Sequence, residues 1–326
     1  MNIPFVKIVY FFSGVLSSGL ILNFIFPRFK KYMLDKPNKR SLHNIPVPTA
    51  GGVAFVLPII SFNIFQILIG IQNPLTLITS YCIPLAIVSF IDDFINVSSI
   101  YRYLIQLICS LLVISQLNLN FPEFKIGFIL TLLILLMTSL INFTNFMDGS
   151  DGLVGSNMIA FFIILLIEGS ANLNIYLLIG SLIPFIYWNW SPAKIFMGDI
   201  GSTFLGIYFL SNLLAFDSLE NIFRVLFATF PLYGDAFFTL LKRLISKQNI
   251  FSAHRLHLYQ RLFLGGLSKS SIAITYLIMS ISIALVGYTF GIYAEILSVL
   301  ICGIFMLMLD KFFAIPFCFC PSNNRH

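Results

Sequence analysis

The sequence predicts an all-α, polytopic integral membrane protein with about eleven transmembrane helices. Of its 326 residues, 58% are hydrophobic and only 10% are charged, whereas a soluble domain of this size carries about a quarter charged residues. The mean hydropathy is +0.94. Roughly ten or eleven spans of about 20 residues would use about two thirds of the chain. This composition excludes an ordinary cytosolic enzyme, a disordered chain and a nucleic-acid-binding protein.

The chain divides into apolar runs that are separated by short polar segments. The first run is too long for a signal-peptide core and lacks a clear cleavage site, so we expect it to be retained as a helix. We expect a single membrane domain, with no second domain and no internal repeat. The predicted helices cover about residues 5–27, 49–71, 75–91, 101–117, 126–143, 153–168, 174–188, 200–216, 222–241, 270–287 and 291–309.

Basic residues are distributed unevenly between the alternating loops. Of the 19 Lys and Arg residues, all but Lys7, Lys125 and Arg224 fall on one side of the predicted membrane. Because Lys and Arg accumulate on the cytoplasmic side, we expect that side to be cytoplasmic, with the N-terminus outside and the C-terminus inside. Its loops lie at about 28–48, 92–100, 144–152, 189–199 and 242–269.

The cysteines are scattered through apolar runs and form no spaced framework. We therefore expect neither disulfides nor a cysteine metal site. The short apolar tail at 317–320 is interpreted as lying on the inner leaflet.

Aspartates gather in or beside the predicted cytoplasmic segments, several of them next to glycine. Such carboxylates suit Mg²⁺, whose shell is often completed by substrate phosphates. These aspartates are Asp35, Asp92, Asp93, Asp148, Asp151, Asp199 and Asp235.

Two of the aspartate sites have a simple structural alternative. Asp92 and Asp93 follow an apolar helix, where adjacent carboxylates repel each other unless a cation or a proton relieves them. The alternative is a solvated helix end at the membrane boundary. Asp199 lies between glycines at a helix start and could be an N-cap. Its position on the same side as the other aspartates favours a metal ligand.

The segment from Asn142 to Leu153 is dense in polar groups between two apolar helices. Glycine after Asp148 and Asp151 suits a turn that exposes backbone N–H groups. The alternative is an ordinary turn between helices, but the number of Asn and Asp side chains favours a binding site.

The longest predicted cytoplasmic loop contains His254, Arg255, His257 and Arg261. On a helix, His254, His257 and Arg261 would share a face. Arginine binds phosphate in a bidentate manner, and histidine hydrogen-bonds it or transfers protons. The alternative is a basic patch that binds anionic lipid.

The loop at 35–52 and one intramembrane carboxylate complete the candidates. The loop combines basic residues with His43, two prolines and a terminal Gly-Gly. It either enforces topology or is shaped to hold a phosphorylated ligand, and the two interpretations are compatible. Asp235 lies within the ninth predicted helix, where a carboxylate is costly, so it either hydrogen-bonds inside the bundle or borders the site.

Together these features predict Mg²⁺-dependent transfer of a phosphate-containing group, with a membrane lipid as one substrate. The main alternative is a secondary transporter of an anionic solute. A transporter would place charges near the bilayer midplane in repeated, broken helices, whereas these acids gather at one interface. A structural membrane subunit would leave the aspartate clusters unexplained.

Four motifs occur in a characteristic order. They are Pro48-Thr49-Ala-Gly51-Gly52, Asp92-Asp93, Asn145-x-x-Asp148-Gly-x-Asp151-Gly-Leu153 and Phe196-Met-Gly-Asp199-x-Gly-Ser202. In this combination the sequence resembles the polyprenyl-phosphate N-acetylhexosamine-1-phosphate transferases of glycosyltransferase family 4, which include phospho-MurNAc-pentapeptide translocase. The resemblance covers about residues 35–261.

The resemblance implies that a UDP-N-acetylated sugar donates its sugar-1-phosphate to undecaprenyl phosphate, with release of UMP. It implies Mg²⁺ as the cofactor, with Mn²⁺ as an alternative, and Asp199 as the metal ligand. Asp92 and Asp93 are the implied catalytic residues, which deprotonate or position the lipid phosphate or help to hold the metal.

The same resemblance assigns the binding residues. Phe196 is a candidate to stack on uracil. The nucleotide-sugar site is expected to comprise Asn145, Asp148, Asp151, Phe196, His254, Arg255 and His257. The loop residues expected at the lipid phosphate or elsewhere on the substrate are Asn38, Arg40, His43 and Thr49.

The last motif departs from the commoner family pattern of three clustered histidines, because the corresponding stretch of this chain, 255–260, retains only His257. This variant is similar to that of transferases that initiate O-antigen or other surface polysaccharides. We therefore expect UDP-GlcNAc or a 6-deoxy derivative as the donor. The expected partners are that donor, undecaprenyl phosphate, membrane lipid and a second copy of the chain, without nucleic acid. The expected location is the bacterial cytoplasmic membrane.

Overall fold

The computed structural model describes residues 3–37, 41–71, 74–116, 123–250, 252 and 254–317. Within these residues the chain forms thirteen helices and one pair of two-residue antiparallel strands. The helices are α1 (Ile3–Tyr32), α2 (Val53–Leu68), α3 (Pro74–Ile95), α4 (Ser99–Ile114), α5 (Glu123–Met147), α6 (Leu153–Ile167), α7 (Asn174–Asn189), α8 (Gly198–Leu213), α9 (Leu219–Ala228), α10 (Phe230–Ile245), α11 (Leu258–Leu264), α12 (Lys269–Phe290) and α13 (Ile292–Phe312). The strands are β1 (Leu34–Asp35) and β2 (Val47–Pro48).

The fold is that of a polytopic, essentially all-helical membrane protein. In the described part of the chain, five helices are long and apolar enough to cross a bilayer: α1, α3, α5, α12 and α13. A sixth span results if the bent pair α9 and α10 counts as one. Three further apolar helices, α2, α4 and α6, are shorter. Length and composition therefore support about half of the eleven predicted spans.

Each of the eleven predicted segments nevertheless contains a helix, and the boundaries shift in ways that matter for the site. Helix α3 extends to Ile95, so Asp92 and Asp93 lie in its last turns. Helix α5 extends to Met147, so Asn145 lies on a helix. The sequence predicts loops at these polar residues because a polar residue marks the end of an apolar run.

The predicted helix at 222–241 is wrong as a single element. It is two helices, α9 and α10, which meet at Thr229 with a bend of 75°. Pro231 lies in the first turn of α10, and proline lacks the N–H that would continue the hydrogen bonding of α9. Asp235 lies buried on α10 beyond this break and accepts hydrogen bonds from the start of α11.

Helix α8 lies at the centre of the bundle. Every residue from Ile200 to Leu213 is buried, and α2, α3, α5 and α6 all pack against this helix. The outer helices instead expose large apolar side chains, such as Phe12 of α1 and Ile304 of α13, as expected for surfaces that face lipid. The N-terminus of α8, which carries Asp199, is therefore surrounded by the ends of several other helices.

Candidate active site

Asp93 caps the N-terminus of α8. Its Oδ1 accepts a hydrogen bond from the backbone N–H of Asp199 at 2.8 Å, and its Oδ2 accepts one from Ile200 at 3.1 Å. The first N–H groups of a helix have no partner within it and form the positive end of its dipole, so a carboxylate there is stabilising. Gly198 has a φ of 75°, and a Cβ on it would lie 2.6 Å from Asp93 Oδ2. Glycine at 198 therefore allows this close approach of α3 to α8.

Asp199 is not the N-cap of α8, because the helix begins at Gly198 and Asp93 supplies the cap. Instead, Asp199 and Asp92 both bind the guanidinium of Arg102. Arg102 of α4 donates through Nη1 to Asp92 Oδ2 at 2.6 Å and to Asp199 Oδ2 at 2.9 Å. Asp92 is almost fully buried, whereas about a third of the Asp199 and Arg102 side chains is exposed. Within this cluster the carboxylate of Asp92 is therefore the inner one, and the carboxylate of Asp199 is the outer, accessible one.

Asn145 connects α5 to the same cluster. Its Nδ2 donates to Asp199 Oδ1 at 2.8 Å and to Ser202 Oγ at 2.9 Å. One turn away, Asn142 and Gln106 exchange side-chain amide hydrogen bonds of 2.8 and 3.3 Å between α5 and α4. This partly buried pair fixes the register of α4 and α5, the helices that carry Arg102 and Asn145.

Asp148 follows the end of α5 and is half-buried. Burial raises the pKa of its carboxyl well above the ordinary value, and the negative charges of Asp199 and Asp93 raise it further. A proton or a cation on Asp148 would relieve this repulsion. Asp148 therefore belongs electrostatically to the cluster around Asp199.

Asp151, only three residues later, is engaged elsewhere. Its Oδ1 accepts from Lys269 Nζ at 2.8 Å, and its Oδ2 accepts from the backbone N–H of Ala193 at 3.1 Å. The ion pair is buried on both sides. Asp151 thus holds together the loop after α5, the start of α12 and the segment before α8.

The loop that follows β2 packs directly against Phe196 and Met197. Phe196 N–H donates to the Pro48 carbonyl at 2.7 Å, and Gly51 N–H donates to the Phe196 carbonyl at 2.8 Å. The rings of His43 and Phe196 meet edge-on, with centroids 4.9 Å apart. Thr49 is held by its N–H, which donates to the Met33 carbonyl at 3.0 Å. His43, Thr49 and Phe196 are thus neighbours, whereas Asn38 and Arg40 lie outside the described residues.

Asp235 anchors the histidine-containing loop. Its carboxylate accepts from the backbone N–H groups of Leu258 and Tyr259, at 2.7 and 3.0 Å, and so caps α11. The hydroxyls of Tyr276 and Thr239 donate to it at 2.8 and 3.2 Å. The carboxylate therefore both hydrogen-bonds inside the bundle and positions a loop at the site.

His254 and His257 do not lie on one helix with Arg261, because α11 begins only at Leu258. Their rings are nevertheless adjacent, with centroids 4.8 Å apart, and the partly buried Arg255 lies between them in sequence. Tyr259 Oη donates to the carbonyl of Phe146 at 3.1 Å. This contact brings the histidine loop to the turn that contains Asp148.

These histidines predict a loss of stability in acid. Burial lowers the pKa of both His254 and His257 to about 3, whereas an unfolded imidazole titrates near 6.5. Between these values the unfolded chain binds protons that the folded chain refuses, so the contribution of each histidine to stability is full above about pH 6.5 and falls as the pH drops below it. The free energy of unfolding of the detergent-solubilised protein and of His257→Gln should be compared from pH 7.5 to 5. As the pH falls, the unmodified protein should lose stability relative to His257→Gln, and a difference that is the same at every pH would contradict the assignment.

Two carboxylates of the cluster fit a metal ion that draws part of its shell from a substrate. In the part of the chain that is described, no group of three or more His, Cys, Asp or Glu side chains is arranged to hold an ion. Mg²⁺, however, is commonly held by one or two carboxylates, with waters and phosphates as the other ligands. Asp92 and Asp199 each direct an oxygen at the same guanidinium nitrogen. A position for a cation between two oxygen donors therefore exists.

Comparison with known proteins identifies the region that carries this cluster. Residues 75–217 match the family model of Glycosyl transferase family 4. The chain carries a glycosyl transferase family 4 region. The resemblance predicted from its motifs is thus confirmed.

Relatives of this family extend the similarity over most of the chain. The chain is 29% identical to the probable undecaprenyl-phosphate N-acetylglucosaminyl 1-phosphate transferase of Bacillus subtilis (strain 168), over 90% of this chain and 86% of that protein. It is 26% identical to the undecaprenyl-phosphate alpha-N-acetylglucosaminyl 1-phosphate transferase of Thermotoga maritima, over 92% and 93%. It is 28% identical to the phospho-N-acetylmuramoyl-pentapeptide-transferase of Petrotoga mobilis, over 66% and 77%.

The glycosyl transferase family 4 region contains the carboxylate cluster, the Asn145 to Leu153 segment and Phe196. The loop with His43 and Thr49 and the loop with His254 to His257 lie outside it and are brought to it by folding. The sequence does not reveal the roles of Arg102 and Lys269, which appear only as topology signals although each pairs with a motif aspartate. Asp93 is among the predicted catalytic residues, but its role as the cap of α8 is not expected from the sequence.

Proposed function

We propose that the protein transfers a sugar-1-phosphate from a UDP-N-acetylhexosamine to undecaprenyl phosphate and releases UMP. An oxygen of the lipid phosphate bonds to the phosphorus that carries the sugar. The bond between that phosphorus and the oxygen that bridges to UMP breaks, and UMP leaves with the electron pair. This reaction brings two anionic substrates together, so the protein must position them and offset their charge.

The observation that carries the proposal is the arrangement of Asp92, Asp199 and Arg102 at the buried N-terminus of α8. Arg102 uses only Nη1 in its two contacts with described residues. Its other N–H groups are suited to a phosphate oxygen, which guanidinium binds in a bidentate manner. Relatives named as undecaprenyl-phosphate transferases support the lipid phosphate as the source of that oxygen.

We assign Asp199 as the ligand of a Mg²⁺ ion, with Mn²⁺ as an alternative. Its outer carboxylate oxygen is the more accessible of the two that meet at Arg102. When bound, the ion would neutralise charge on the transferred phosphate. Asn145 holds the second oxygen of Asp199 and so orients the carboxylate. Asp93 acts on the same carboxylate by capping its helix, which makes Asp92 the better candidate to help Asp199 hold the ion.

The nucleotide-sugar is assigned to the groups on either side of this cluster. Phe196 offers a ring for the base beside His43, and Asp148 offers a carboxyl close to the phosphates. We assign His254 and His257, in the loop anchored by Asp235, to the sugar, and both are neutral at pH 7 because burial lowers their pKa to about 3. Neutral imidazoles donate and accept hydrogen bonds with hydroxyl and amide groups, as an N-acetylated sugar requires. Asp151 supports the pocket through its ion pair rather than through direct contact.

The donor is proposed to be UDP-GlcNAc or a 6-deoxy derivative, and the pathway to be initiation of O-antigen or another surface polysaccharide. We further propose eleven membrane spans in the bacterial cytoplasmic membrane, with the N-terminus outside and the C-terminus and the site on the cytoplasmic side. The homodimer stays a prediction from the sequence.

The test is a donor panel with the full-length protein in membranes. UDP-GlcNAc, its 6-deoxy analogue and UDP-MurNAc-pentapeptide, each labelled in the sugar, are supplied with undecaprenyl phosphate and Mg²⁺. The expected result is a labelled lipid and one UMP per lipid formed with the first or second donor. Transport of a labelled solute without release of UMP would replace the enzyme by the transporter, and transfer from the pentapeptide donor alone would overturn the sugar assignment.

A further inference from the structure

The C-terminal end of α7 and the segment after it form an open cleft on the side of the protein. The cleft has a volume of about 490 Å³. Its apolar walls are Ile183, Ile186 and Tyr187 on α7 and Trp190 just beyond it, and Lys194 lies at its rim. Ile183 and Tyr187 are 44% and 75% exposed, so the cleft opens beside an apolar helix surface. Such a surface, on a membrane protein, faces lipid.

Lys194 is the charged group of this cleft. Its Nζ lies over the rings of Tyr187 and Trp188, 5.7 and 5.6 Å from their centroids. It forms no salt bridge with an acidic side chain of the described residues. A lysine that lacks an acidic partner and lies on aromatic rings at a helix end resembles the interfacial belt at the level of lipid headgroups.

The surrounding charge is also positive. Phe26 of α1 packs against Trp188, with ring centroids 4.7 Å apart. The last turns of α1, just after Phe26, carry the exposed side chains of Arg28, Lys30 and Lys31. These cations add to the positive potential at this end of α7, which attracts anionic lipid.

We propose that this cleft binds an anionic glycerophospholipid, with the headgroup phosphate on Lys194 and one acyl chain along Ile183, Ile186 and Tyr187. The apolar walls are suited to an acyl chain, and the Lys194 ammonium, which has no acidic partner among the described residues, is suited to a phosphate. The cleft is separate from the cation position between Asp92 and Asp199, because none of its lining residues contacts either carboxylate. It is therefore assigned to a membrane lipid rather than to the lipid substrate.

A lipid bound in this cleft would contact Trp190, and Trp190 packs against a turn of the candidate active site. The φ of Gly152 is 74°, and a Cβ on it would lie 2.8 Å from the Trp190 ring. Asn189 accepts from the Gly152 N–H at 3.0 Å and donates to the Ile195 carbonyl at 2.9 Å. The segment that forms one wall of the cleft thus also holds the glycine that ends the Asp148-Gly-Ser-Asp151-Gly turn. A lipid on this wall would therefore contact the tryptophan that packs against that turn.

The position of the two tryptophans allows a direct binding test. The chain contains two Trp residues, so Trp188→Phe leaves Trp190 as the only one. Full-length Trp188→Phe protein is placed in phosphatidylcholine nanodiscs, and acyl-brominated phosphatidylglycerol or acyl-brominated phosphatidylcholine is added in steps. Quenching of Trp190 should be half-maximal at an about fivefold lower fraction of the anionic lipid, which corresponds to about 1 kcal/mol for one lysine.

Two variants separate the cleft from general surface charge. Lys194→Gln in the same background should abolish the preference for the anionic lipid. Lys311→Gln should leave it unchanged, since Lys311 also lies over an aromatic ring, that of Phe312, but at the end of α13. In the converse Trp190→Phe protein, the amplitude of quenching should be smaller, because Trp188 does not line the cleft and its ring packs against Phe26 of α1.

The proposal is overturned if both brominated lipids quench Trp190 equally, or if the preference survives in Lys194→Gln. It is also overturned if stoichiometric undecaprenyl phosphate, without bromine, displaces the brominated lipid, since the cleft would then belong to the lipid substrate. None of these readouts depends on sugar transfer, so they stand apart from the test of the proposed function.

Discussion

Replacing Asp199 with asparagine should lower the rate of sugar-phosphate transfer by about 10²–10³-fold, the range seen when one electrostatic stabiliser of a transition state is removed. Asparagine has the same shape and retains an oxygen for the hydrogen bond from Asn145, so the fold should persist. The negative charge that the proposed Mg²⁺ requires is lost. The rate is measured as UMP released from the donor identified by the panel, with saturating undecaprenyl phosphate.

A second readout does not depend on turnover. In detergent, Mg²⁺ should raise the melting temperature of the unmodified protein and have little effect on Asp199→Asn, because ligand binding to the folded state stabilises it. Asp217→Asn is the matched control, since Asp217 is an exposed aspartate just beyond α8. It should retain both the rate and the Mg²⁺ effect. A fully active Asp199→Asn protein would remove Asp199 from the metal site.

The sequence predicts the all-helical membrane fold, and it brings the main carboxylates forward as candidates for the site. Apolar runs mark helices because the bilayer interior requires backbone groups to be paired within a segment. Asp92, Asp148 and Asp199 are candidates because a carboxylate beside an apolar run has a high free-energy cost, which a functional role would explain. The meeting of Asp92 with Asp199, 107 positions later, follows only from the packing of α3 against α8, with the Arg102 side chain of α4 between the two carboxylates.

Other features depend on tertiary contacts that leave no local signal. In the sequence only Pro231 indicates the break between α9 and α10, and proline is tolerated in many membrane helices. The cap of α8 comes from Asp93 on a different helix, so a search for a nearby capping residue selects Asp199 itself. Lys269 and Arg102 resemble other cytoplasmic basic residues in sequence, and only their partners distinguish them.

Substitution of Arg102, the basic partner of the carboxylate cluster, should separate Mg²⁺ binding from sugar-phosphate transfer. Arg102 occupies, with one nitrogen, the space between the two carboxylates that a divalent cation would share. A cation that binds Asp199 must compete with this contact. In Arg102→Gln the competitor is gone and the two carboxylates repel each other, so Mg²⁺ should bind more tightly. The same variant loses the guanidinium that is proposed to hold a substrate phosphate, so transfer should fall.

The two effects of Arg102→Gln should therefore have opposite signs. The Mg²⁺ concentration that gives half of the thermal stabilisation should decrease, while the rate of transfer should decrease by about 10²-fold. Arg102→Lys keeps the charge but loses the planar, bidentate guanidinium. Its rate of transfer should lie between those of the unmodified protein and Arg102→Gln, and its Mg²⁺ requirement should be near that of the unmodified protein. Weaker Mg²⁺ binding in Arg102→Gln would mean that Arg102 supports the metal site instead of competing with it. An unchanged rate would mean that no substrate phosphate depends on this guanidinium.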